Sequence, residues 1–265
     1  LTTAGDVDGD GDIDIIIGEK GYTGQTTHPV APLIVVKLAR SNADGTFAPV
    51  ETIGNLKGVG DHVSVGRLSL RDIDGDGDLD VVASPRAVLR NDGSGSFGAP
   101  EPLLQPSSLP RQYYAKVEAD FNEDGRIDLL VSAVDLYNSV EQLILFGQAD
   151  GSFEQQPPNP DPISLSSLAP VTALDFDKDG DDDLVAYGHV NGVYGIIMYK
   201  SKLNGTFAAA KMLAPVQANV IGTGRFNDDL ARDLVFAWLS LASTGGSDGN
   251  LWVEVWLNDG EGGFL

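Results

Sequence analysis

An acidic nonapeptide occurs five times in this chain, and it limits the possible folds more than any other feature. The copies are Asp6-Val-Asp-Gly-Asp-Gly-Asp-Ile-Asp14, Asp72-Ile-Asp-Gly-Asp-Gly-Asp-Leu-Asp80, Asp120-Phe-Asn-Glu-Asp-Gly-Arg-Ile-Asp128, Asp175-Phe-Asp-Lys-Asp-Gly-Asp-Asp-Asp183 and a degraded Arg225-Phe-Asn-Asp-Asp-Leu-Ala-Arg-Asp233. Their starts are 66, 48, 55 and 50 residues apart. A motif repeating at this period marks one supersecondary unit used several times, so the repeat sets the fold.

Each nonapeptide runs into a short apolar segment: Ile15-Ile16-Ile17, Leu79 to Ala83, Leu129-Leu130-Val131, Leu184-Val185-Ala186 or Leu234-Val235-Phe236. These segments are brief, partly β-branched and closed by Gly, Ser or polar residues, which predicts strands rather than helices. A second apolar run follows, as at Leu33 to Leu38, Leu143 to Phe146, Ile196 to Tyr199 and Leu251 to Leu257. It leads into another recurring turn: Asp44-Gly-Thr-Phe47, Ser94-Gly-Ser-Phe97, Asp150-Gly-Ser-Phe153, Asn204-Gly-Thr-Phe207 and Gly262-Gly-Phe264. Asp-Gly and Asn-Gly supply the positive φ of tight turns, and the Phe is expected to plug into the core. Asn204-Gly-Thr206 is also a glycosylation sequon, read here as part of the turn.

Four antiparallel strands per unit, repeated about five times with no amphipathic helix, predict an all-β chain of β-propeller blades. The units fall at about 1–58, 59–108, 109–165, 166–216 and 217–265. Separate small β-sandwiches would need longer units and linkers, and the Pro-rich stretch Gln155 to Pro162 reads as a connection between blades. The first unit is expected to lack most of its opening strand and the fifth its closing strand. On that reading the sequence is a fragment of a longer polypeptide, contributing to a larger ring.

The composition fits this reading. The 265 residues hold 39 Asp and Glu against 17 Lys and Arg, a net charge of −22, with 42% apolar residues and no Cys. Nucleic acid is excluded as a partner by the charge and by the lack of a basic patch. Direct membrane insertion by a helix is excluded because no apolar run reaches the roughly 18–20 residues needed. Zero Cys rules out disulfides and thiolate metal sites. The four intact nonapeptides hold 20 of the 39 acidic residues, offset inside them by Arg126 and Lys178 alone, so most of the charge is local.

Such crowding is strongly repulsive without a cation. Asp at positions 1, 3 and 5, Gly at 6, a backbone carbonyl at 7 and Asp at 9 form an all-oxygen set suited to Ca²⁺, which takes six to eight oxygens. Mg²⁺ demands stricter geometry, and zinc and copper prefer His or Cys. An EF-hand closes with Glu at position 12, where this chain has Ile17, Ala83, Val131 or Ala186. About four structural Ca²⁺ ions are therefore expected. In the fifth copy Arg225 and Leu230 replace the Asp and Gly. No metal is expected there, and Arg225 is expected to pair with Asp229 or Asp233.

The acidic loop and the Gly-x-Phe turn together resemble the FG-GAP/VCBS repeats of integrin-α-like β-propellers, over nearly the whole chain. The resemblance implies that each loop joins the first two strands of a blade and binds Ca²⁺. It implies the ligand sets Asp6, Asp8, Asp10 and Asp14; Asp72, Asp74, Asp76 and Asp80; Asp120, Asn122, Asp124 and Asp128; and Asp175, Asp177, Asp179 and Asp183. Backbone oxygens of Asp12, Asp78, Arg126 and Asp181 would complete them.

His28, His62 and His189 lie near no nucleophile motif, and no P-loop, G-x-S-x-G or H-E-x-x-H is present. A non-catalytic module is expected. Alternation in Leu251 to Leu257 places Trp252, Glu254 and Trp256 on one face, for packing between blades or as a sugar platform. The loops Gly18 to Pro32, Pro106 to Tyr114 and Ser240 to Asn250 are candidate partner surfaces, with Tyr22, Tyr113 and Tyr114 as contacts. The expected role is extracellular adhesion or protein recognition, on a cell surface or in the extracellular matrix. A glycan-binding lectin and an accessory domain of a secreted enzyme are the alternatives.

Overall fold

A computed structural model describes residues 1–21, 33–57, 65–104, 112–157, 160–166, 169–202, 204–229, 231–240, 250–259 and 263–264. Tyr22, His28, His62 and most of the three long loops lie outside the described residues.

The chain is all-β, built of antiparallel sheets of the propeller-blade type, and each four-stranded sheet is a meander in chain order. The first sheet holds Thr2–Gly5, Asp14–Gly21, Leu33–Ala39 and Glu51–Asn55. The second holds Arg67–Arg71, Asp80–Ser84, Ala87–Leu89 and Glu101–Pro102. The third holds Gln112–Ala119, Asp128–Val134, Val140–Gly147 and Phe153–Gln155, and the fourth Val171–Leu174, Asp183–Val190, Val193–Tyr199 and Lys211–Ala214. The fifth has three strands among the described residues, Val220–Gly224, Asp233–Ser240 and Asn250–Trp256. No helix occurs among the described residues.

The first sheet has its opening strand, contrary to the sequence expectation: Thr2–Gly5 pairs fully with Asp14–Ile17. The register recurs from repeat to repeat. The last residue of the first strand faces the position-9 Asp in Gly5↔Asp14, Arg71↔Asp80, Leu174↔Asp183 and Gly224↔Asp233.

Two compact units are present. One comprises Leu1–Ala115, Ala133–Ser139 and Gly147–Glu154, the other Lys116–Ser132, Val140–Phe146 and Gln155–Leu265. In the first unit Val7, Ile16, Ile34, Val36 and Leu38 pack with Leu68, Leu70, Val81, Ala83 and Leu89 of the second sheet. In the second unit one cluster joins Phe121, Leu130 and Ile144 to Leu184, Ile197, Tyr199 and Phe207, and another joins Val185, Ile196 and Met198 to Ile221, Leu234 and Phe236. Sheets covered on both faces need continuous apolar runs instead of alternation. Asp80–Ser84 is accordingly buried at every residue.

The turn Phe was expected in the core. Phe207 is buried edge-on against Phe121 of the preceding nonapeptide, at 5.5 Å, and Phe264 lies 4.8 Å from Phe176 of its preceding one. Phe47 of the first repeat is 48% exposed. The complement appears at position 2 of the nonapeptide: Val7, Ile73, Phe121 and Phe176 are buried, while Phe226 of the last copy is exposed.

Candidate metal centre

Each nonapeptide folds by satisfying its own backbone. The position-1 carboxylate caps the loop: Asp6 accepts the N–H groups of Gly9 (2.8 Å) and Gly11 (2.9 Å), and Asp72 those of Gly75 (2.7 Å) and Gly77 (3.0 Å). Asp120 accepts from Asp124 and Gly125, and Asp175 from Gly180. Position 6 turns through φ of 92° at Gly11, 96° at Gly77, 83° at Gly125 and 106° at Gly180. Only Gly adopts this region without steric cost, which explains that position. The position-5 carboxylate accepts the N–H of position 7 in every copy, from Asp10 accepting Asp12 to Asp229 accepting Ala231.

The position-9 Asp is buried in every loop; Asp14, Asp80, Asp128, Asp183 and Asp233 are all 1% exposed or less. One oxygen accepts the position-2 N–H, from Val7, Ile73, Phe121 or Phe226. The other accepts the N–H of the second residue past the third strand, from Ser41, Asn91, Ser201 or Asn258. This carboxylate therefore staples the loop to the sheet whether or not metal is present.

Three loops bring carboxylates to within 4.8 Å of one another: Asp6, Asp8 and Asp14; Asp72, Asp74 and Asp76; Asp175, Asp177 and Asp179. Their donor sets fit a hard cation, because several of their oxygens are buried without a hydrogen-bond partner. These are Asp8 Oδ1, Asp74 Oδ1, Asp175 Oδ1, Asp177 Oδ1 and Asp183 Oδ2. A buried carboxylate oxygen normally has a partner, and a cation would supply one. Burial, with the nearby charges of Asp177, Asp181 and Asp179, pushes the Asp183 carboxyl up to about 7. Hydrogen bonding from Asp181 and then Lys200 instead holds Asp179 down to about 2. The third loop differs. Arg126 donates to Asp124 at 2.6 Å and Asn122 to Asp124 at 2.9 Å, so the loop supplies part of its own neutralisation.

Sequence reasoning missed a set of basic residues beside these loops. Arg40 donates to Asp8 (2.7 Å), Arg90 to Asp74 (2.5 Å) and Lys200 to Asp177, each from the residue before Ser41, Asn91 or Ser201. Burial alone would lower the Arg40 pKa, but its hydrogen bonds to Asp8 and Glu51 more than offset this. The signal was present as a basic residue at one fixed place before the Gly-x-Phe turn, far in sequence from the carboxylate it meets.

In the fifth copy the expected Arg225 ion pair does not form. Arg225 is exposed, and among the described residues no ion pair joins it to Asp229 or Asp233. Asp233 is held by the Phe226 and Asn258 N–H groups and Asp229 by Ala231 and Asn227, so neither depends on the arginine.

Trp252 and Trp256 do share a face. Trp256 is half-buried, edge-on to Phe236 at 4.7 Å, and its Nε1 donates to Glu254. Trp252 is 51% exposed and stacks on Trp238 at 6.2 Å. Tyr113 and Tyr114 are half-buried within the strand Gln112–Ala119, with the Tyr114 hydroxyl donating to Gln112. Asn204 accepts the N–H and hydroxyl of Thr206, as Asp44, Asp92 and Asp150 do in their turns. The sequon thus coincides with a structural turn.

Comparison with known proteins supports the architecture. No curated protein matches. A lectin of Agrocybe aegerita, described by its specific recognition of non-reducing terminal N-acetylglucosamine, aligns over 100% of this chain with a TM-score of 0.61 at 20% identity. The chain spans 64% of that lectin's length. At this identity the likeness establishes the fold alone. The exotype rhamnogalacturonan lyase YesX aligns over 99% of this chain and 48% of its own, with a TM-score of 0.49 at 15% identity. The FG-GAP-like repeat pattern matches three times, at residues 6–83, 72–131 and 120–186, and so covers more than half of the sequence. The chain belongs to the FG-GAP-like repeat family.

Proposed function

We propose that the chain is a non-catalytic, calcium-stabilised recognition module that works outside the cell. The buried, unpartnered carboxylate oxygens of Asp8, Asp74, Asp175, Asp177 and Asp183 carry this reading. Asp at positions 1, 3, 5 and 9 of the first, second and fourth loops would hold the ion, with the backbone oxygen of position 7. In the third loop Asp120, Asn122, Asp124 and Asp128 would do so with the Arg126 carbonyl. The ion's chemistry here is charge neutralisation and cross-linking of the loop. Binding confined to the folded form ties stability to free calcium, which suits a calcium-rich exterior. Thermal melts in millimolar calcium and in chelator, with a count of bound ions, test this. An unchanged midpoint with no bound calcium would overturn it.

For the partner, protein recognition and glycan recognition both fit a rigid scaffold bearing loops. The exposed Trp252 stacked on Trp238 favours a glycan, since sugar rings lie against indole faces. A fold shared with an N-acetylglucosamine-recognising lectin lends support. Glycan-array binding lost in Trp252→Ala is the expected result. Absence of any glycan binding would return the reading to protein adhesion.

A further inference from the structure

The loops differ in a way that follows the sequence repeat by repeat. Position 3 is Asp in the first, second and fourth copies (Asp8, Asp74, Asp177) and Asn in the third and fifth (Asn122, Asn227). The residue just before the Gly-x-Phe hairpin is basic in the first set (Arg40, Arg90, Lys200) and uncharged in the second (Phe146, Leu257). A half-buried carboxylate needs a counter-charge and an amide does not, so the two positions vary together.

The two arginines do more than neutralise. Arg40 bonds Asp8 of its loop and Glu51 of its fourth strand (3.1 Å), and also donates to the Gly95 carbonyl of the next repeat's hairpin at 2.7 Å. Arg90 repeats this with Asp74, Glu101 (3.3 Å) and the Asp150 carbonyl at 2.8 Å. A β-carbon at Gly95 or Gly151 would overlap the arriving guanidinium, so the hairpin is shaped to receive it. The planar fork of Arg can serve three acceptors at once. Lys200 reaches only Asp177 and Asp179 of its own loop among the described residues. Where the third repeat has Phe146 instead, the joint to the fourth is apolar: its ring fills the place over Gly205, and the Gly205 N–H donates to the Phe121 carbonyl at 3.1 Å.

We infer that Arg40 and Arg90 are positioning residues that couple the first and second acidic loops to the hairpins of the repeats that follow, so that calcium in a loop tightens the next joint. This rests on the calcium reading above. Each position-3 carboxylate presents one oxygen to the arginine and keeps the other, Asp8 Oδ1 or Asp74 Oδ1, buried and without a partner. With a cation held by the loop, the Asp8 or Asp74 carboxylate would be relieved of its neighbours' repulsion and would hold the guanidinium over the hairpin. The joint of the third and fourth repeats lacks this link and is calcium-independent.

The test is hydrogen exchange on the whole chain, in calcium and in chelator, beside a calorimetric calcium titration. Removing calcium should speed exchange about tenfold at the hairpin amides Gly95, Gly98, Gln148 and Gly151, and not at Gly205 and Ala208. Arg90→Ala should abolish the calcium dependence at Gln148 and Gly151, leave it at Gly95, and by reciprocity weaken one calcium site on the order of tenfold. Arg90→Lys keeps the charge without the fork and should behave like Arg90→Ala at the hairpin, which guards against a variant that fails to fold. If calcium binds but all hairpins exchange alike with and without it, the coupling is wrong and the calcium reading stands. If no calcium binds, both fall.

Discussion

At the scale of single residues, the position-9 Asp separates structural from metal roles. Asp233 lies in the copy that has lost its position-1 Asp, yet it is fully buried and accepts two backbone N–H groups. Hydrogen bonds to a charged group are worth about 1.5–3 kcal/mol each. Asp233→Ala should therefore lower the unfolding free energy by roughly 2–4 kcal/mol in denaturant titrations, equally in calcium and in chelator. A loss seen only in calcium would mean that the fifth loop binds metal. Lys116 offers a pH test. Burial lowers its pKa to about 8, while its ammonium donates to the Ser166 and Ala169 carbonyls. The folded state thus holds fewer protons than the unfolded state between about pH 8 and 10.5, so stability rises with pH across that window. Below it, both states are protonated and the full cost of the buried charge is present. After discounting for partial solvent screening, the wild type should gain about 1–2 kcal/mol over Lys116→Gln between pH 7 and 10. A constant difference between the two would refute this.

At the scale of elements, the hairpins show why similar turns are not interchangeable. Gly45 and Gly205 occupy the same turn with φ of 82° and 69°. A β-carbon at Gly45 meets open space, whereas at Gly205 it would run into Phe146. Gly45→Ala should cost only the backbone term of about 1–2 kcal/mol, and Gly205→Ala should cost clearly more, read from paired thermal melts. The strands themselves were legible. Segments such as Val81 to Ala83 and Leu184 to Ala186 lie between sheets and so read as continuous apolar runs, and the Asp-Gly turns mark their ends. The basic partners of the loops were not legible in the same way. Arg40 sits 32 residues from Asp8, and nothing local says which carboxylate a surface arginine will meet.

At the scale of the whole molecule, the net charge of −22 is chiefly a property of the loops. Each ion bound only by the folded state at a hundredfold excess over its Kd adds about 2.7 kcal/mol, so several sites together could equal the whole stability of an ordinary domain. The midpoint should climb with the logarithm of free calcium and fall in chelator. Moderate sodium chloride should recover part of the loss by screening the loop carboxylates. No response of the chelated protein to salt would show that carboxylate repulsion is not what destabilises it.

The sequence by itself determined the repeat, the strands, the hairpins and the oxygen-rich loops. All of these depend on spacing within a few residues, where backbone geometry alone decides what can bond to what. Tertiary structure decided which carboxylates gain a protein cation, which joints are ionic and which apolar, and that Phe207 is buried while Phe47 is exposed. Those outcomes depend on residues brought together across repeats, far apart in the sequence.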